Sequence, residues 1–173
     1  MNPYRCQLCG ETYLGSYEPD RCPFCGASGI ILLPPALWVD YGEVEMSEKS
    51  KENCRQSLQL EVNNQAYYRL CAEKSENRIN QSIFKRLAKH EGEHAELVAD
   101  MLGEEEPEPE EPSCPESDSE KFAAAHQREN RAINFYLQSA EEAQQAGEER
   151  VAFVFRYLSE VESEHMKLSN LHQ

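Results

Sequence analysis

The sequence has no run of eighteen or more apolar residues, so it predicts no helix that crosses a membrane. Its first residues, MNPYRCQLCG, lack the apolar segment of a signal peptide, which argues against secretion. Basic residues are scarce, since 17 Lys and Arg stand against 32 Asp and Glu and leave a formal charge of -15. Binding to a phosphate backbone depends on clustered Lys and Arg. We therefore expect a cytoplasmic protein that binds neither nucleic acid nor membranes.

Four of the seven cysteines form two tight pairs, in CQLCG from Cys6 and in CPFCG from Cys22. In a reducing compartment such pairs indicate metal ligands rather than disulfides. Each glycine permits the tight turn in which backbone N–H groups point at sulfur. Four thiolates suit a single iron or a zinc ion, so both a redox centre and a structural zinc ribbon remain open. The predicted ligands are Cys6, Cys9, Cys22 and Cys25.

The chain divides where its composition changes. Residues 1–36 are rich in turn signals and predict small hairpins around the four cysteines, and 37–46 form a connector after Pro34-Pro35. Residues 47–173 predict a four-helix bundle, with helices over 48–76 and 79–102. An acidic, proline-rich crossover over 103–118 follows. Ser117 and Glu120 then predict a capping box for a third helix, which runs to about residue 146, and a fourth covers about 148–171.

The second pair of helices repeats the first. Tyr68 follows Glu61 by seven residues and Tyr136 follows Glu129 by the same distance. The second and fourth helices each carry Glu-x-Glu-His, ending at His94 and at His165. The repeat predicts two related helical hairpins. If a two-fold axis along the bundle relates them, the second and third helices run parallel and the crossover must travel the length of the bundle.

Helix geometry brings the repeated residues together. Positions three apart lie about 60° from each other, so the Glu and His of each Glu-x-x-His face one point, whereas Glu93 and Glu164 should point away. One Glu from each of two helices and one Glu-x-x-His from each of two others are the ligands of ferritin-like di-iron and di-manganese bundles. Four carboxylates and two neutral imidazoles also balance two divalent cations in a core. The predicted ligands are Glu61, Glu91, His94, Glu129, Glu162 and His165.

Several residues near this set have more than one interpretation. His90 completes an H-E-x-x-H motif, which in zinc proteases binds the metal, but Val161 takes its place in the second hairpin and disfavours that alternative. Tyr68 and Tyr136 are either core aromatics or hydrogen-bond donors to a ligand carboxylate. His126 is expected to lie at the surface or to support a ligand, with a direct approach to the site as the alternative. The three isolated cysteines are expected to be ordinary buried or surface residues, with redox roles as the alternative. These three are Cys54, Cys71 and Cys114.

Taken together, these motifs resemble the rubrerythrin family over nearly the whole chain. The segment CQLCGETYLGSYEPDRCPFCGA resembles its rubredoxin-like domain, and the remainder resembles its ferritin-like di-iron domain. Most rubrerythrins place the rubredoxin-like part last; here it comes first, as in reverse rubrerythrins. The resemblance implies a mainly α fold, with Glu61 and Glu129 as terminal ligands and Glu91 and Glu162 as bridges. His94 and His165 would be the imidazole ligands.

The same resemblance implies an oxidoreductase that reduces hydrogen peroxide or dioxygen. Electrons would pass from an external reductase through the thiolate-bound iron to the di-iron pair, and across subunits, which implies a homodimer. One position departs from the family, because Ala132 stands where rubrerythrins usually carry an additional Glu one turn after Glu129. The site is thus closer to that of a ferritin. A ferroxidase, or a non-enzymatic metal-binding protein with a zinc ribbon, remains an alternative.

Overall fold

The computed structural model describes residues 1–40 and 43–172. Tyr41 and Gly42, which belong to the predicted connector, and Gln173, the last residue of the predicted bundle, lie outside the described residues. Within the described part of the chain, no helix is both long enough and apolar enough to cross a membrane.

A small antiparallel sheet opens the chain. Its strands are β1 (Asn2–Cys6), β2 (Thr12–Gly15) and β3 (Leu32–Leu33), in the order β2-β1-β3. Short 3-10 turns cover Gly29–Ile31 and Pro35–Leu37. The strands carry few residues because glycines and prolines interrupt the segment, as the sequence predicts.

Four long helices follow, which confirms the predicted mainly α, ferritin-like bundle. They are α1 (Glu48–Lys74), α2 (Arg78–Leu102), α3 (Asp118–Gln145) and α4 (Glu149–Leu171), and the predicted ends differ from these by at most two residues. Side chains that accept a hydrogen bond from a first-turn backbone N–H begin three of the helices. These caps are Ser47, Asn77 and Ser117.

The predicted capping box at α3 forms in part. Ser117 Oγ accepts from the backbone N–H of Glu120 at 3.2 Å, as the motif requires. The Glu120 carboxylate, however, accepts from the Ser117 hydroxyl at 2.7 Å rather than from a backbone N–H. At the other end of α3, Gly147 has a φ of 77°, a left-handed conformation that ends the helix.

The crossover between α2 and α3 runs beside α1, so α2 and α3 are parallel as predicted. It contacts side chains four residues apart on α1 and then reaches Ser75, whose hydroxyl donates to Asp118 at 2.8 Å. Since Ser75 follows the last residue of α1, the crossover spans most of that helix. Its side-chain contacts are Arg55 with Glu104 at 2.6 Å, Gln59 with the Glu108 carbonyl at 3.3 Å, and Asn63 with the Glu110 N–H at 2.8 Å.

The apolar core has two parts. One packs around Tyr67, Tyr68, Phe84 and Phe122, near the α1–α2 turn. The other lies in the opposite half of the bundle. It also includes apolar residues of the N-terminal segment, such as Leu8 and Leu32. Along α2, α3 and α4 the predicted ligands fall between these two clusters, and on α1 Glu61 lies beside the edge of the second cluster, next to Val62. The packing therefore places a polar layer in the middle of the bundle.

Candidate metal centre

All six predicted helical ligands converge inside the bundle. They form two groups of four, and within each group one ligand atom per residue lies within 4.8 Å of the others. Glu91 and Glu162 belong to both groups, which is the arrangement of carboxylates that bridge two metal ions. One group adds Glu61 and His94, and the other adds Glu129 and His165.

The orientation of the buried polar atoms fits two cations. Among the described residues, eight buried side-chain N or O atoms lack a hydrogen-bond partner, and six of them belong to the predicted ligands. Such atoms are rare in native proteins because an unpaired buried polar group is costly. Metal coordination would satisfy them. They are Glu61 Oε2, both Glu91 oxygens, His94 Nδ1, Glu129 Oε2 and Glu162 Oε1.

Electrostatics at the centre favour a cation as well. Burial and repulsion from neighbouring carboxylates raise the pKa of Glu61 and Glu129 well above the usual value. Burial also opposes the charge of Glu91, but electrostatic attraction to His165 and His94, at 3.3 and 3.5 Å, outweighs it and holds the pKa of that carboxyl well below its usual range. Burial lowers the pKa of His165, but the nearby carboxylates outweigh it and raise the pKa to about 9. Divalent cations would take over the charge balance that protons otherwise provide.

The N-terminal cysteines form a second constellation. Cys6, Cys9, Cys22 and Cys25 lie within 4.8 Å of one another, and all but Cys9 are buried. Gly10 and Gly26 follow the two pairs with φ of 80° and 78°, conformations that favour glycine. Cys6 Sγ lies 3.8 Å from Cys25 Sγ, and Cys9 Sγ lies 3.9 Å from Cys22 Sγ. These spacings suit four thiolates around one metal ion.

Comparison with known proteins points in the same direction. A family model described as Rubrerythrin matches residues 52–124, which cover most of α1, all of α2, the crossover and the start of α3. Reverse rubrerythrin-1 of Clostridium acetobutylicum is 26% identical over 115 residues, a match that covers 60% of this chain and 64% of the length of that relative. The chain is thus similar to the rubrerythrin family over the matched residues. Its four-cysteine segment precedes the bundle, the reversed order that the sequence predicted.

A rubrerythrin domain implies a di-iron site, and the carboxylate and imidazole donors found here suit iron. Ala132 stands where the resemblance leads us to expect an additional glutamate, and it is fully buried one turn after Glu129. A methyl group cannot ligate a metal. The helical centre, as far as the chain is described, therefore offers six ligand residues and no seventh carboxylate at this position.

The two repeated tyrosines donate hydrogen bonds to ligand carboxylates. The Tyr68 hydroxyl donates to Glu129 Oε1, and the Tyr136 hydroxyl donates to Glu61 Oε1. Each tyrosine therefore supports a predicted ligand glutamate of the other hairpin. Of the two interpretations of these residues, the structure supports hydrogen bonding to the ligands, and it adds that the bonds cross between the hairpins. Both rings are fully buried, so they also fill the core.

The Nε2 atoms of the two predicted ligand histidines have different hydrogen-bond partners. His94 Nε2 lies 2.8 Å from the Cys25 carbonyl oxygen, to which it can donate a hydrogen bond. His165 Nε2 lies 3.1 Å from His90 Nδ1. In both cases Nδ1 faces the carboxylates. His90 is in neither four-residue group, so the structure does not support the zinc-protease interpretation of H-E-x-x-H.

The four-cysteine segment is docked directly on the bundle. Arg150 of α4 donates from Nη1 to the Gln7 carbonyl at 2.7 Å and from Nη2 to the Leu8 carbonyl at 3.0 Å. Arg86 of α2 donates to the Pro23 carbonyl at 3.0 Å. Both cysteine pairs are thus fastened to helices that carry metal ligands. Sequence reasoning missed these contacts, since nothing in the spacing relates the two parts.

The remaining predicted residues lie outside the two constellations. Glu93 and Glu164 point away from the centre as predicted, and Glu164 pairs with Lys167 at 2.7 Å. His126 is in neither ligand group, although its Nδ1 is buried without a partner among the described residues. The three isolated cysteines are free thiols, of which Cys54 and Cys71 are buried and Cys114 is half-buried.

Proposed function

We propose that this chain is a non-haem di-iron oxidoreductase that reduces hydrogen peroxide to water in defence against oxidative stress. The observation that carries the proposal is the pair of four-residue groups that share Glu91 and Glu162. Two ferrous ions bound there would supply the two electrons that, with two protons, convert hydrogen peroxide into two molecules of water. Similarity to the rubrerythrin family model and to a reverse rubrerythrin supports this chemistry.

The chain's own residues prepare the site for this task. Glu61 and Glu129 would hold the metal ions as terminal ligands, Glu91 and Glu162 would be shared between them, and His94 and His165 would supply imidazole nitrogens. Tyr68 and Tyr136 hold the terminal carboxylates by hydrogen bonds, which limits how those ligands turn. The apolar clusters on both sides exclude bulk water from the layer. A dry site strengthens the electrostatic interactions within it.

The four-thiolate site is the proposed source of electrons. The Cys25 carbonyl accepts from His94 Nε2, so one hydrogen bond joins a thiolate-bearing residue to a ligand of the di-iron centre. This contact supports relay within one chain from a thiolate-bound iron to the helical centre. An electron-donating reductase, a homodimeric assembly and a cytoplasmic location belong to the same proposal.

The proposal for the helical centre is tested with the anaerobic diferrous protein. Hydrogen peroxide should oxidise it rapidly in a stopped-flow absorbance experiment. The double variant Glu91→Ala, Glu162→Ala should react more than about a hundredfold more slowly, because lost ligands cost more than lost supporting residues, which typically cost roughly 10- to 100-fold.

The matched control is the double variant Glu93→Ala, Glu160→Ala, which removes the same number of carboxylates from α2 and α4 away from the site. It should react with peroxide as the native protein does. Equal rates for the ligand variant and the native protein would refute peroxide reduction at this centre.

The relay is tested by colour and by the rate of re-reduction. Ferric iron held by four thiolates absorbs visible light, whereas zinc does not, so the absorbance of the natively purified protein separates the electron-transfer site from a zinc ribbon. Cys9→Ser, Cys22→Ser should abolish the absorbance and slow re-reduction of the di-iron centre by a reductase. Oxidation by peroxide should be unchanged, with Cys54→Ser as control. A colourless native protein would contradict the relay.

A ferroxidase is the second candidate, and Ala132 is the observation that favours it. Without an additional carboxylate at that position, the six-residue set matches that of a plain ferritin-like site. A ferroxidase would oxidise excess Fe(II) with dioxygen over many turnovers. A peroxidase would consume peroxide faster than dioxygen when both oxidants are offered to the diferrous protein.

A further inference from the structure

A cavity leads from solvent to one side of the metal centre. It has a volume of about 660 Å³ and lies between the second cysteine pair and helices α2 and α4. Its walls include apolar side chains from both helices, namely Ile83, Leu87, Val161 and Leu168. Arg21 and Arg86 also line it, but the first pairs with Glu164 at 3.4 Å and the second binds the Pro23 carbonyl.

His165 is the one helical ligand that this cavity reaches. Its side chain is 6% exposed, whereas the side chains of Glu61, Glu91, Glu162 and His94 are 0% exposed, as is the whole of Glu129. The opposite histidine is sealed, because the Cys25 carbonyl covers His94 Nε2. The opening that the described residues leave to the centre therefore passes His165.

His90 occupies that opening. Its ring stacks on His165, with ring centroids 5.3 Å apart and an interplanar angle of 20°. Gly26 lies close to the same ring, since a Cβ added there would come within 3.0 Å of His90 Nδ1 and 3.1 Å of Val161 Cγ1. The imidazole is thus confined between a ligand, a glycine and an apolar wall. The repeat has Val161 at the equivalent position, so the second hairpin presents no second ring here.

We propose that His90 is a specificity-determining residue that closes the cavity to bulky solutes and admits hydrogen peroxide. The proposal rests on the function proposed above and adds the substrate class, namely small neutral peroxides as opposed to organic hydroperoxides. A molecule of two oxygen atoms fits beside the imidazole, whereas an aromatic hydroperoxide requires the volume that the ring fills. The apolar walls suit a neutral solute.

The first test measures access in the metal-free protein and needs no turnover. Hydroxyl radicals from water radiolysis are applied, and oxidised peptides are quantified by mass spectrometry. His90→Ala should raise oxidation of His165 several-fold and leave His94 unmodified. His90→Phe, which keeps a ring but loses the hydrogen bond, should protect His165 as the native residue does. His172→Ala is the control, since it removes a histidine outside the cavity.

These readouts separate a steric gate from the alternatives. Unchanged oxidation of His165 in His90→Ala would overturn the proposal. Equal increases in oxidation of His94 and His165 would mean that the whole bundle has become less tightly packed, and this would also overturn the proposal. If His90→Phe exposes His165 as much as His90→Ala does, the hydrogen bond rather than the ring closes the site. That result would refute steric closure of the cavity by His90.

The second test compares two peroxides with the di-iron protein. The native protein should react much faster with hydrogen peroxide than with cumene hydroperoxide. His90→Ala should raise the relative rate with cumene hydroperoxide by about tenfold or more, since steric exclusion by even small groups discriminates on that scale. An unchanged ratio overturns the proposed specificity. If no peroxide reacts with any variant, the proposed function fails, and the footprinting still decides whether His90 controls access.

Discussion

The hydrogen bonds from Tyr68 and Tyr136 set the geometry of the terminal carboxylates at the scale of single residues. Each hydroxyl binds one oxygen of a predicted ligand glutamate, and the other oxygen, on Glu61 and on Glu129, has no hydrogen-bond partner among the described residues. A carboxylate held in this way loses less freedom when it binds a metal. Supporting hydrogen bonds of this kind tune metal affinity.

Tyr136→Phe should therefore weaken metal binding while the fold persists. We expect the affinity for Co(II), measured by competition with a chelator, to fall roughly tenfold to a hundredfold, the range typical of partners that orient metal ligands. Tyr67→Phe is the matched control. Its hydroxyl donates to the Lys121 carbonyl at 2.7 Å and does not touch a ligand. Equal losses in both variants would show that the hydrogen bond to Glu61 has no specific effect on metal binding.

At the scale of elements, the start of α3 is fastened to the turn between α1 and α2. The Asp118 carboxylate accepts from Ser75 Oγ, Asn80 Nδ2 and Lys121 Nζ, at 2.8, 2.8 and 2.9 Å. Lys121 is fully buried and also donates to the carbonyls of Lys74 and Glu116. This junction ends the crossover and aligns the two hairpins, because its partners come from α1, α2 and α3.

Asp118→Asn should destabilise the protein in a pH-dependent manner. Burial opposes the charge, but the three donors outweigh it and lower the pKa of Asp118 below its ordinary value of 3.8. The charged form is thus favoured in the folded state, so its stabilisation is complete above pH 3.8 and is lost as the pH falls through the lowered pKa. We expect a loss of about 1–3 kcal/mol in the free energy of unfolding at neutral pH, the scale of charge-assisted hydrogen bonds.

Urea unfolding at a series of pH values measures this effect. The difference in free energy of unfolding between the native protein and Asp118→Asn should become smaller in acid. Asp100→Asn, at an exposed position, should differ little from the native protein at any pH. A difference in free energy of unfolding that stays constant down to pH 2 would contradict the assigned role of the Asp118 charge.

At the scale of the whole molecule, the proposed electron relay depends on how the four-cysteine segment sits on the bundle. The guanidinium of Arg150 binds two carbonyls of the first cysteine pair, and the second pair meets the bundle through His94 and Arg86. The two predicted metal sites are therefore brought together within one chain. The proposed short electron path through Cys25 depends on this docking and not on the connector over residues 37–46.

Arg150→Ala should loosen the docking without unfolding the bundle. Hydrogen bonds from a charged donor contribute about 1.5–3 kcal/mol, so protection of the backbone amides around Cys6 and Cys9 against hydrogen exchange should drop about tenfold or more. Amides in α1 should keep their protection. Arg156→Ala, from the same helix, serves as control because Arg156 binds Gln144 and the Ala152 carbonyl. Equal protection of these amides in the native protein and both variants would refute the role of Arg150 in docking the segment.

Regular spacing along the sequence determined the helices, the four-cysteine site and the candidate ligand set. A ligand pair such as Glu91 and His94 is set by the helical repeat, and the pair Cys22 and Cys25 by a local turn, so neither needs knowledge of the fold. The parallel course of α2 and α3 followed from the internal repeat together with the long crossover. These features are local or periodic, and for that reason they can be read from residue order.

Tertiary structure alone decided which separate elements meet. No spacing rule indicates that Tyr68 reaches Glu129 of the other hairpin, that His90 stacks on His165, or that His94 binds the carbonyl of Cys25. Each of these contacts joins residues more than sixty positions apart, and packing of whole faces, rather than local conformational preference, brings them together.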